Sequence, residues 1–394
     1  MIVFVNYPFE SELSDPDELL ARYGTLTGFA GAIAEAAKEP VTVVQRFGRD
    51  AERTVHDVRY RFVRDPIRSR RTFLDRSGRV ADVAVSLRPR IVHFHGLVYP
   101  LAVRQLRGRL PASVPLLVQD HGGVHPHSGG FRRWPWVAIH RFGLRAATAF
   151  LFTATAQAEP WRRAGIICAD QPVHEIPEAS STIPSSSRGS RSDLAGEATR
   201  LPGRPALLWV GRLNANKDPL VVLAGFEHAL AGMPEAVLSM VFGADDLIAQ
   251  VRDRIACAPA LATRVRLLGR VPHRDMPSIY RGADLLVLAS HHEGGAYAVV
   301  EALAFGVTPV VTDIPAFRAL TDDGRVGHLF PVGDAERLAK AIVRAAASVT
   351  PESRRAIREY FDRHLSWPAV GRRCVEIYRR AEERRRADTF PPSA

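Results

Sequence analysis

Short runs of apolar residues alternate with longer amphipathic stretches along most of this chain. The runs predict β-strands, and most are continuous rather than alternating, as in parallel strands buried on both faces. The predicted strands are 2–6, 41–45, 91–95, 116–120, 149–153, 206–210, 237–243, 265–269, 284–290 and 308–312. Helical patterns lie between them, for example at 26–38, 218–231, 296–305 and 334–347. This alternation predicts an α/β fold with doubly wound parallel sheets.

The pattern is interrupted at 180–205, which is rich in Ser, Gly, Pro and Arg and has little apolar periodicity. We interpret this segment as a linker or surface loop. A chain of 394 residues is too long for one ordinary core. We therefore predict two Rossmann-like domains, 1–178 and 179–370, with a cleft at the carboxyl ends of their strands, where α/β folds bind ligands.

Composition narrows the class of protein. Hydrophobic residues make up 46% and charged residues 24%, which is typical of a globular chain. Three distant cysteines, Cys168, Cys257 and Cys374, argue against a disulfide scaffold and favour a reducing compartment. The first residues read as a strand rather than a signal peptide, and no stretch looks membrane-spanning. The sequence thus predicts a cytoplasmic protein.

The charge balance is basic, because 53 Lys and Arg residues exceed 42 Asp and Glu residues by 53 − 42 = 11. Arginine is dense at 59–71 and at 372–386. Such a balance fits an anionic partner, such as nucleic acid, anionic lipid or phosphorylated metabolites. We favour the alternative that these arginines form solvated helix faces, because runs of charged residues usually lie at the surface.

Two carboxylates flank a glycine pair after the predicted strand 284–290. Glu293 lies at the carboxyl end of that strand, and Glu301 lies inside an almost wholly apolar helix. An unpaired buried carboxylate costs several kcal/mol, so Glu301 needs a partner. A ligand diol is one such partner, as in dinucleotide folds. A structural salt bridge for Glu301 and a capping role for Glu293 fit the residues equally well.

A second polar cluster follows the strand 206–210. Gly211 permits a tight exit, and Arg212 and Lys217 occupy the short loop before a helix that Asp218 caps. Two cations beside a helix start suit a diphosphate, because Arg binds oxygens bidentately and Lys acts as a point charge. Taken alone, this loop is a weak signal.

Together these segments resemble family 4 of the glycosyltransferases, the retaining group 1 enzymes with the GT-B fold. The resemblance covers most of the chain and is strongest over 206–345. Its motifs are VGRLNANKDP, LLGRVPHRDMPSIYRGADLLVLAS, EGGAYAVVEALAFGVTPVVTDIPAFR and GHLFPVGDAERLAKAI. The resemblance implies two Rossmann-like domains facing across a cleft. It also implies a C-terminal helix, about 371–394, that crosses back to the first domain.

The resemblance implies roles for individual residues. Arg212 and Lys217 would bind the donor diphosphate, Glu293 the donor sugar and Glu301 the ribose diol. Main-chain groups would also contact the donor. Those around the base and phosphates would be Arg270, Val271, Gly295, Ala296 and Tyr297, with Gly211 at the strand exit.

The amino-terminal half resembles the family more loosely. A glycine loop that closes on the donor phosphates would correspond to Gly24, Thr25 and Gly28. His121 would lie near the reacting sugar and the acceptor. The histidines His93, His95, His121, His125 and His127 also permit a zinc interpretation. We do not favour it, because the resemblance implies neither a catalytic metal nor another cofactor beyond a nucleotide-diphosphate-sugar donor.

The implied activity is hexosyl transfer with retention to a saccharide, lipid-linked or small-molecule acceptor in glycan, polysaccharide or glycolipid synthesis. Positioning and charge stabilisation would carry catalysis. The Arg-rich C-terminus would contact an anionic membrane peripherally at its cytoplasmic face. The alternatives are another sugar-nucleotide enzyme such as an epimerase, and a non-catalytic sugar-nucleotide-binding protein. Nucleic-acid binding has only charge in its favour, and no reader motif accompanies it.

Three departures from the family pattern stand out. EIPEASST at 175–182 replaces the usual Asn-Gly-Val-Asp run, Gly295 replaces a common aromatic residue, and Ala296 replaces a common Gly or Ser. We expect the last two to bear on the choice of donor sugar.

Overall fold

A computed structural model describes residues 1–8, 12–67, 71–122, 134–180 and 201–389. The chain divides into two compact units. The first comprises Met1–Pro177 together with Trp367–Ala394, and the second comprises Glu178–Ser366.

The first unit is an α/β layer structure built on one sheet. Its strands are β1 (Ile2–Asn6), β2 (Val41–Phe47), β3 (Ala51–Val55), β4 (Val58–Arg64), β5 (Ile91–His95), β6 (Leu116–Gln119), β7 (Ala149–Phe152) and β8 (Val173–Glu175). Its helices before the linker are α1 (Pro16–Arg22), α2 (Gly24–Ala37), α3 (Gly78–Ser86), α4 (Pro100–Arg107), α5 (Trp134–Leu144) and α6 (Glu159–Arg163).

In the described residues, the strands of this sheet follow the order β3-β4-β2-β1-β5-β6-β7-β8. All neighbouring strands are parallel except β3 and β4, which are antiparallel. Strand β1 is central, with Ile2 opposite both Val41 of β2 and Ile91 of β5. Its first four residues are buried, which is why its apolar run is continuous.

The hairpin of β3 and β4 corrects the interpretation of the first arginine-rich run as a solvated helix face. Arg59 and Arg61 lie on strand β4, and Arg59 forms an ion pair with Glu52 on β3. Tyr60 and Phe62 alternate with them and are buried. Because one face of β4 is solvated, its apolar pattern has period two and its polar face carries the charge.

The second unit repeats the architecture. Its strands are β9 (Ala206–Gly211), β10 (Val237–Phe242), β11 (Val265–Gly269), β12 (Leu285–Leu288), β13 (Thr308–Thr312) and β14 (His328–Phe330). Its helices are α7 (Pro219–Ala229), α8 (Ile248–Ala256), α9 (Pro259–Arg264), α10 (Met276–Gly282), α11 (Tyr297–Ala304), α12 (Pro315–Leu320), α13 (Ala335–Ser348) and α14 (Pro351–His364).

The strand order of this parallel sheet is β11-β10-β9-β12-β13-β14 within the described part of the chain. The chain builds the sheet outward from β9 in one direction, then returns to the other side of β9 and builds outward from β12. Strands β9 and β12 therefore flank the point at which the strand order reverses. In doubly wound folds the loops at that point separate and leave a ligand crevice at the carboxyl ends of the strands.

The last helix, α15 (Trp367–Thr389), belongs to the first unit and packs against α2. Gly371 allows close approach, since a Cβ there would overlap the carbonyl group of Ala32. Cys374, Ile377 and Tyr378 are buried on the same helix, as its apolar stripe predicts. None of the described helices is both long and apolar enough to span a bilayer.

Candidate functional site

The loops that follow β9 and β12 are joined by several hydrogen bonds. The backbone amide of His291 donates to the carbonyl oxygen of Asn216 at 2.8 Å, and the Asn216 side-chain amide donates to the carbonyl of His292 at 2.9 Å. His291 Nε2 lies 2.9 Å from Asp218 Oδ2. Asp218 also caps α7 by accepting from the amide of Val221. The two loops thus form one cross-linked surface at the reversal point of the sheet.

Lys217 and Glu293 form an ion pair across these loops. Both are largely buried, with side chains 18% and 9% exposed. The backbone amide of Lys217 donates to Asn214 Oδ1 at 3.1 Å, which anchors the loop at this residue. Arg212 leaves the end of β9 in the same loop and is exposed. The structure therefore brings Lys217 and Glu293 together and leaves Arg212 exposed in the loop that also carries Lys217.

Glu301 sits in the middle of α11 and is held by two hydroxyl groups. The Tyr280 hydroxyl donates to Glu301 Oε2 at 2.7 Å, and the Ser180 hydroxyl donates to Oε1. Neighbouring residues of α11 from Val299 to Ala304 are buried, as expected from the apolar pattern. Burial and the Glu301 carboxylate raise the pKa of Tyr280 well above its usual value, so the phenol stays protonated and remains a donor.

The start of α11 explains two departures in the sequence. A Cβ at Gly295 would lie 2.9 Å from Glu178 Cγ and 3.2 Å from the Tyr297 ring, so a larger residue would require the Glu178 side chain to shift. The Tyr297 hydroxyl lies 3.4 Å from Glu178 Oε2. Ala296 has the left-handed conformation, with φ 50°, which costs an alanine about 1–2 kcal/mol and favours glycine. The backbone at position 296 therefore has a conformation that favours glycine, although the residue is alanine.

Other predicted donor contacts lie nearby in sequence but are less enclosed. Gly211 is the last residue of β9. Arg270 is exposed after β11, and Val271 is half-buried against the core of the second unit. The structure does not bring Arg270 into a hydrogen bond or ion pair with the described residues.

The predicted glycine loop of the first unit is wrong. Gly24, Thr25 and Gly28 lie in the first turns of α2 rather than in a loop. A Cβ at Gly28 would overlap the indole ring of Trp367 at the start of α15. Gly28 therefore allows α15 to pack closely against α2.

His93, His95 and His121 gather in the first unit. His93 and His95 are buried on one face of β5, and the ring of His95 reaches His121 after β6. Burial lowers the pKa of His93 to about 3. His125 and His127 lie outside the described residues, and no group of three metal-binding side chains occurs within the part of the chain that the structure describes.

The two tryptophans at the start of α5 differ in their exposure. Trp136 stacks on His140 with ring centroids 3.7 Å apart and also contacts Trp161, so it packs α5 against the core. Trp134 is 71% exposed at the start of the same helix.

The family model described as "Glycosyl transferases group 1" matches residues 204–348. This stretch includes the charged residues of the loops after β9 and β12, namely Arg212, Lys217, Asp218 and Glu293. The chain is similar to this family over that segment. It is 31% identical to the phosphatidyl-myo-inositol mannosyltransferase of Mycobacterium leprae over 206 residues, 48% of this chain and 51% of the relative. The matched stretch thus spans about half the length of that curated relative. It is 25% identical to the GDP-mannose:cellobiosyl-diphosphopolyprenol alpha-mannosyltransferase of Xanthomonas campestris over 298 residues, 74% of each chain.

Solved structures of other proteins share the fold. A glycosyltransferase from Rickettsia africae superimposes with a TM-score of 0.68 at 14% identity, covering 96% of this chain and 98% of that one. The Anabaena protein HepE, solved in complex with UDP, has a TM-score of 0.63 at 14% identity, covering 96% and 99%. These likenesses establish that the fold is GT-B.

Within the group 1 pattern, sequence reasoning missed three residues that contact the predicted site. Ser180 and Tyr280 hold Glu301, and Glu178 lies against Gly295 and Tyr297. Tyr280 precedes the strand β12 and looks like an ordinary core aromatic. Glu178 and Ser180 lie in the segment that replaces the usual Asn-Gly-Val-Asp run, so a search for polar residues at that departure would have found them.

Proposed function

We propose that this chain is a glycosyltransferase that moves a hexose from a nucleotide-diphosphate-sugar to a saccharide, lipid-linked or small-molecule acceptor. The single observation that carries the proposal is the charged surface at the reversal point of the second sheet. Lys217 and Glu293 form an ion pair there, Arg212 is exposed, and the family match covers all three. A diphosphate suits this surface, because two cations flank the start of α7.

In this scheme, binding of the donor breaks the ion pair between Lys217 and Glu293. Before binding, the Lys217 charge is neutralised by Glu293. A diphosphate contacting Arg212 and Lys217 provides the negative charge instead, and Glu293 becomes available to the hydroxyl groups of the sugar. Glu301, already held by Tyr280 and Ser180, has carboxylate lone pairs for a ribose diol, since an ionised carboxylate accepts about four hydrogen bonds.

Chemistry then rests on charge stabilisation. Transfer with retention requires no protein nucleophile: the leaving phosphate oxygen takes the acceptor proton on the face from which it departs. Arg212 and Lys217 offset the charge that grows on the diphosphate as the glycosidic bond breaks. Arg270, Val271 and the amides of Gly295, Ala296 and Tyr297 contribute main-chain contacts to the donor, and His121 aligns the sugar or the acceptor.

We infer that the donor is GDP-mannose and that the acceptor is lipid-linked. The names of two relatives carry this inference, since one acts on phosphatidyl-myo-inositol and the other on a diphosphopolyprenol. Exposed arginines on α15, Arg372, Arg379 and Arg386, favour peripheral contact with an anionic membrane surface, where such acceptors reside.

A thermal-shift screen of nucleotide-sugars followed by turnover tests the proposal. A donor at 100 times its Kd stabilises the folded state by about 2.7 kcal/mol, so GDP-mannose should raise the Tm of the second unit by roughly 5–10 °C. Glu301→Gln and Arg212→Ala should each lower turnover at least about 100-fold. The matched control is Arg252→Ala, which removes an exposed arginine from α8 and should leave turnover unchanged.

Three results would overturn parts of the proposal. Near-normal transfer by both site variants removes the site assignment. Release of free nucleotide with no acceptor present, and no transfer when acceptors are supplied, favours an epimerase or a hydrolytic enzyme. An inverted anomeric centre in the product, read from the one-bond carbon–proton coupling constant at C1, excludes retention.

A further inference from the structure

A line of histidine rings crosses the carboxyl-end side of the first sheet. His93 and His95 alternate on β5 and project to the same face, with ring centroids 4.6 Å apart. His95 Nδ1 lies 2.9 Å from His121 Nε2, and the planes of the two rings differ by 8°. At the buried end, His93 Nδ1 lies 2.7 Å from the Tyr378 hydroxyl. His121 is the exposed end of the line.

His95 is a neutral imidazole. It is 6% exposed, and the rings of Phe4 and Phe29 contact it edge-on. Burial, with smaller contributions from His93 and His121, holds its pKa well below the usual value. One of its two nitrogens therefore carries a hydrogen and the other accepts.

The position of that hydrogen follows from what surrounds each nitrogen. His95 Nε2 is buried and has no hydrogen-bond partner among the described residues, whereas Nδ1 faces His121. A buried N–H without an acceptor is rarer and more costly than a bare lone pair. The hydrogen therefore lies on Nδ1 of His95 and is donated to Nε2 of His121.

We propose that His95 is a positioning residue that fixes His121 as its neutral Nδ1–H tautomer, so that His121 offers a hydrogen-bond donor to the group it contacts. The inference deepens the proposed function and rests on it, because that function gives His121 its contact with the sugar or acceptor. The near-parallel ring planes support it, because an N–H in the plane of one imidazole can point at the lone pair of the other.

The arrangement has a chemical consequence. For His121 to take up a proton at Nε2, its new N–H would face the N–H of His95. His95 would then have to carry its hydrogen on Nε2, which is buried and has no hydrogen-bond partner among the described residues. The pair therefore disfavours a base role for His121 through this nitrogen. A neutral donor at Nδ1 suits an oxygen that gains negative charge during transfer, or a sugar hydroxyl that must be aligned.

Long-range proton–nitrogen correlation spectra of the ring nitrogens test the tautomer directly in the full-length protein. The chain has 14 histidines, so a His121→Gln spectrum identifies the His121 signals. At a pH above the usual histidine pKa of about 6.5, the wild type should show the Nδ1–H pattern for His121. An Nε2–H pattern in the wild type overturns the proposal without the need for any variant of His95.

Two substitutions at His95 separate orientation from packing. His95→Leu keeps an apolar volume but removes the donor, and should release His121 to the Nε2–H tautomer. His95→Asn places an amide N–H near the position of Nδ1 and should preserve the Nδ1–H pattern. The control His140→Leu removes another buried imidazole of the same unit, whose Nδ1 contacts the Trp136 carbonyl, and should leave the His121 pattern unchanged.

Kinetics provide the second readout. His95→Leu should lower kcat about 10-fold to 100-fold, the range seen when a histidine ligand loses the group that orients it, with little change in KM for the donor. His95→Asn should restore most of kcat. A tautomer that does not change in His95→Leu, or a kcat loss that His95→Asn and His140→Leu share equally, overturns the positioning role. If no variant or wild type transfers sugar while the tautomers behave as expected, the proposed function fails and the His95–His121 assignment stands.

Discussion

Removing one hydroxyl group from the pair that holds Glu301 should destabilise the second unit measurably. Tyr280→Phe deletes the donor that lies 2.7 Å from Glu301 Oε2 and changes little else, because the ring remains. Tyr280 is fully buried and Glu301 is 6% exposed, so water does not readily replace the lost hydrogen bond. Ser180 still donates to the other oxygen of the carboxylate.

The expected magnitude follows from the charge of the acceptor. A hydrogen bond to an ionised group contributes about 1.5–3 kcal/mol, and a buried acceptor that loses its partner bears its own desolvation cost. We therefore expect Tyr280→Phe to lower the free energy of unfolding of the second unit by about 2 kcal/mol. For a unit of this size, that corresponds to a fall of roughly 4–8 °C in Tm.

Differential scanning calorimetry with urea unfolding measures the change, and Tyr60→Phe is the matched control. Tyr60 is also fully buried, but its hydroxyl has no partner among the described residues. Deleting that hydroxyl should be nearly neutral or slightly stabilising, since it removes an unsatisfied polar group. If Tyr280→Phe destabilises the protein no more than Tyr60→Phe does, the Tyr280–Glu301 hydrogen bond does not have the role assigned to it here.

Two further predictions concern the first unit. Burial lowers the pKa of His93 to about 3 and of His140 to about 4, so the unfolded chain binds protons that the folded chain does not. The contribution of these two histidines to the free energy of unfolding should therefore be complete above about pH 6.5 and fall towards pH 4. In urea titrations His140→Phe should show a shallower fall than the wild type. A flat pH profile for the wild type contradicts this prediction. Gly28→Ala should cost about 1–3 kcal/mol by overlapping Trp367, whereas Gly31→Ala on the same helix, where a Cβ meets nothing within 4 Å, should not destabilise. Equal calorimetric stability of the two alanine variants would refute the packing role of Gly28.

The strands were predictable from the sequence where they are buried on both faces. The runs at 2–6, 91–95 and 308–312 have the same bounds in the structure. Apolar side chains on both faces leave a continuous signal that needs no knowledge of neighbours. The hairpin strand β4 was missed because its arginines alternate with buried residues, and β14 has only three residues.

The candidate site was predictable as a set of residues but not as a set of contacts. Glu293, Glu301 and Lys217 were identified from residue types, strand ends and family resemblance. Their partners depend on which strands are neighbours: Lys217 meets Glu293 because β9 lies beside β12, although 76 positions separate them in the chain. Local periodicity reports burial and backbone conformation, and it contains no information on strand order.

The sequence by itself determined the two α/β halves, their buried strands and the charged residues at the strand ends. Tertiary structure alone decided that Gly28 packs against Trp367 and that His95 reaches His121. The physical reason is the same in each case. The residue type determines the chemistry of a side chain. Its contact partner depends on how helices and strands that are distant in sequence pack together.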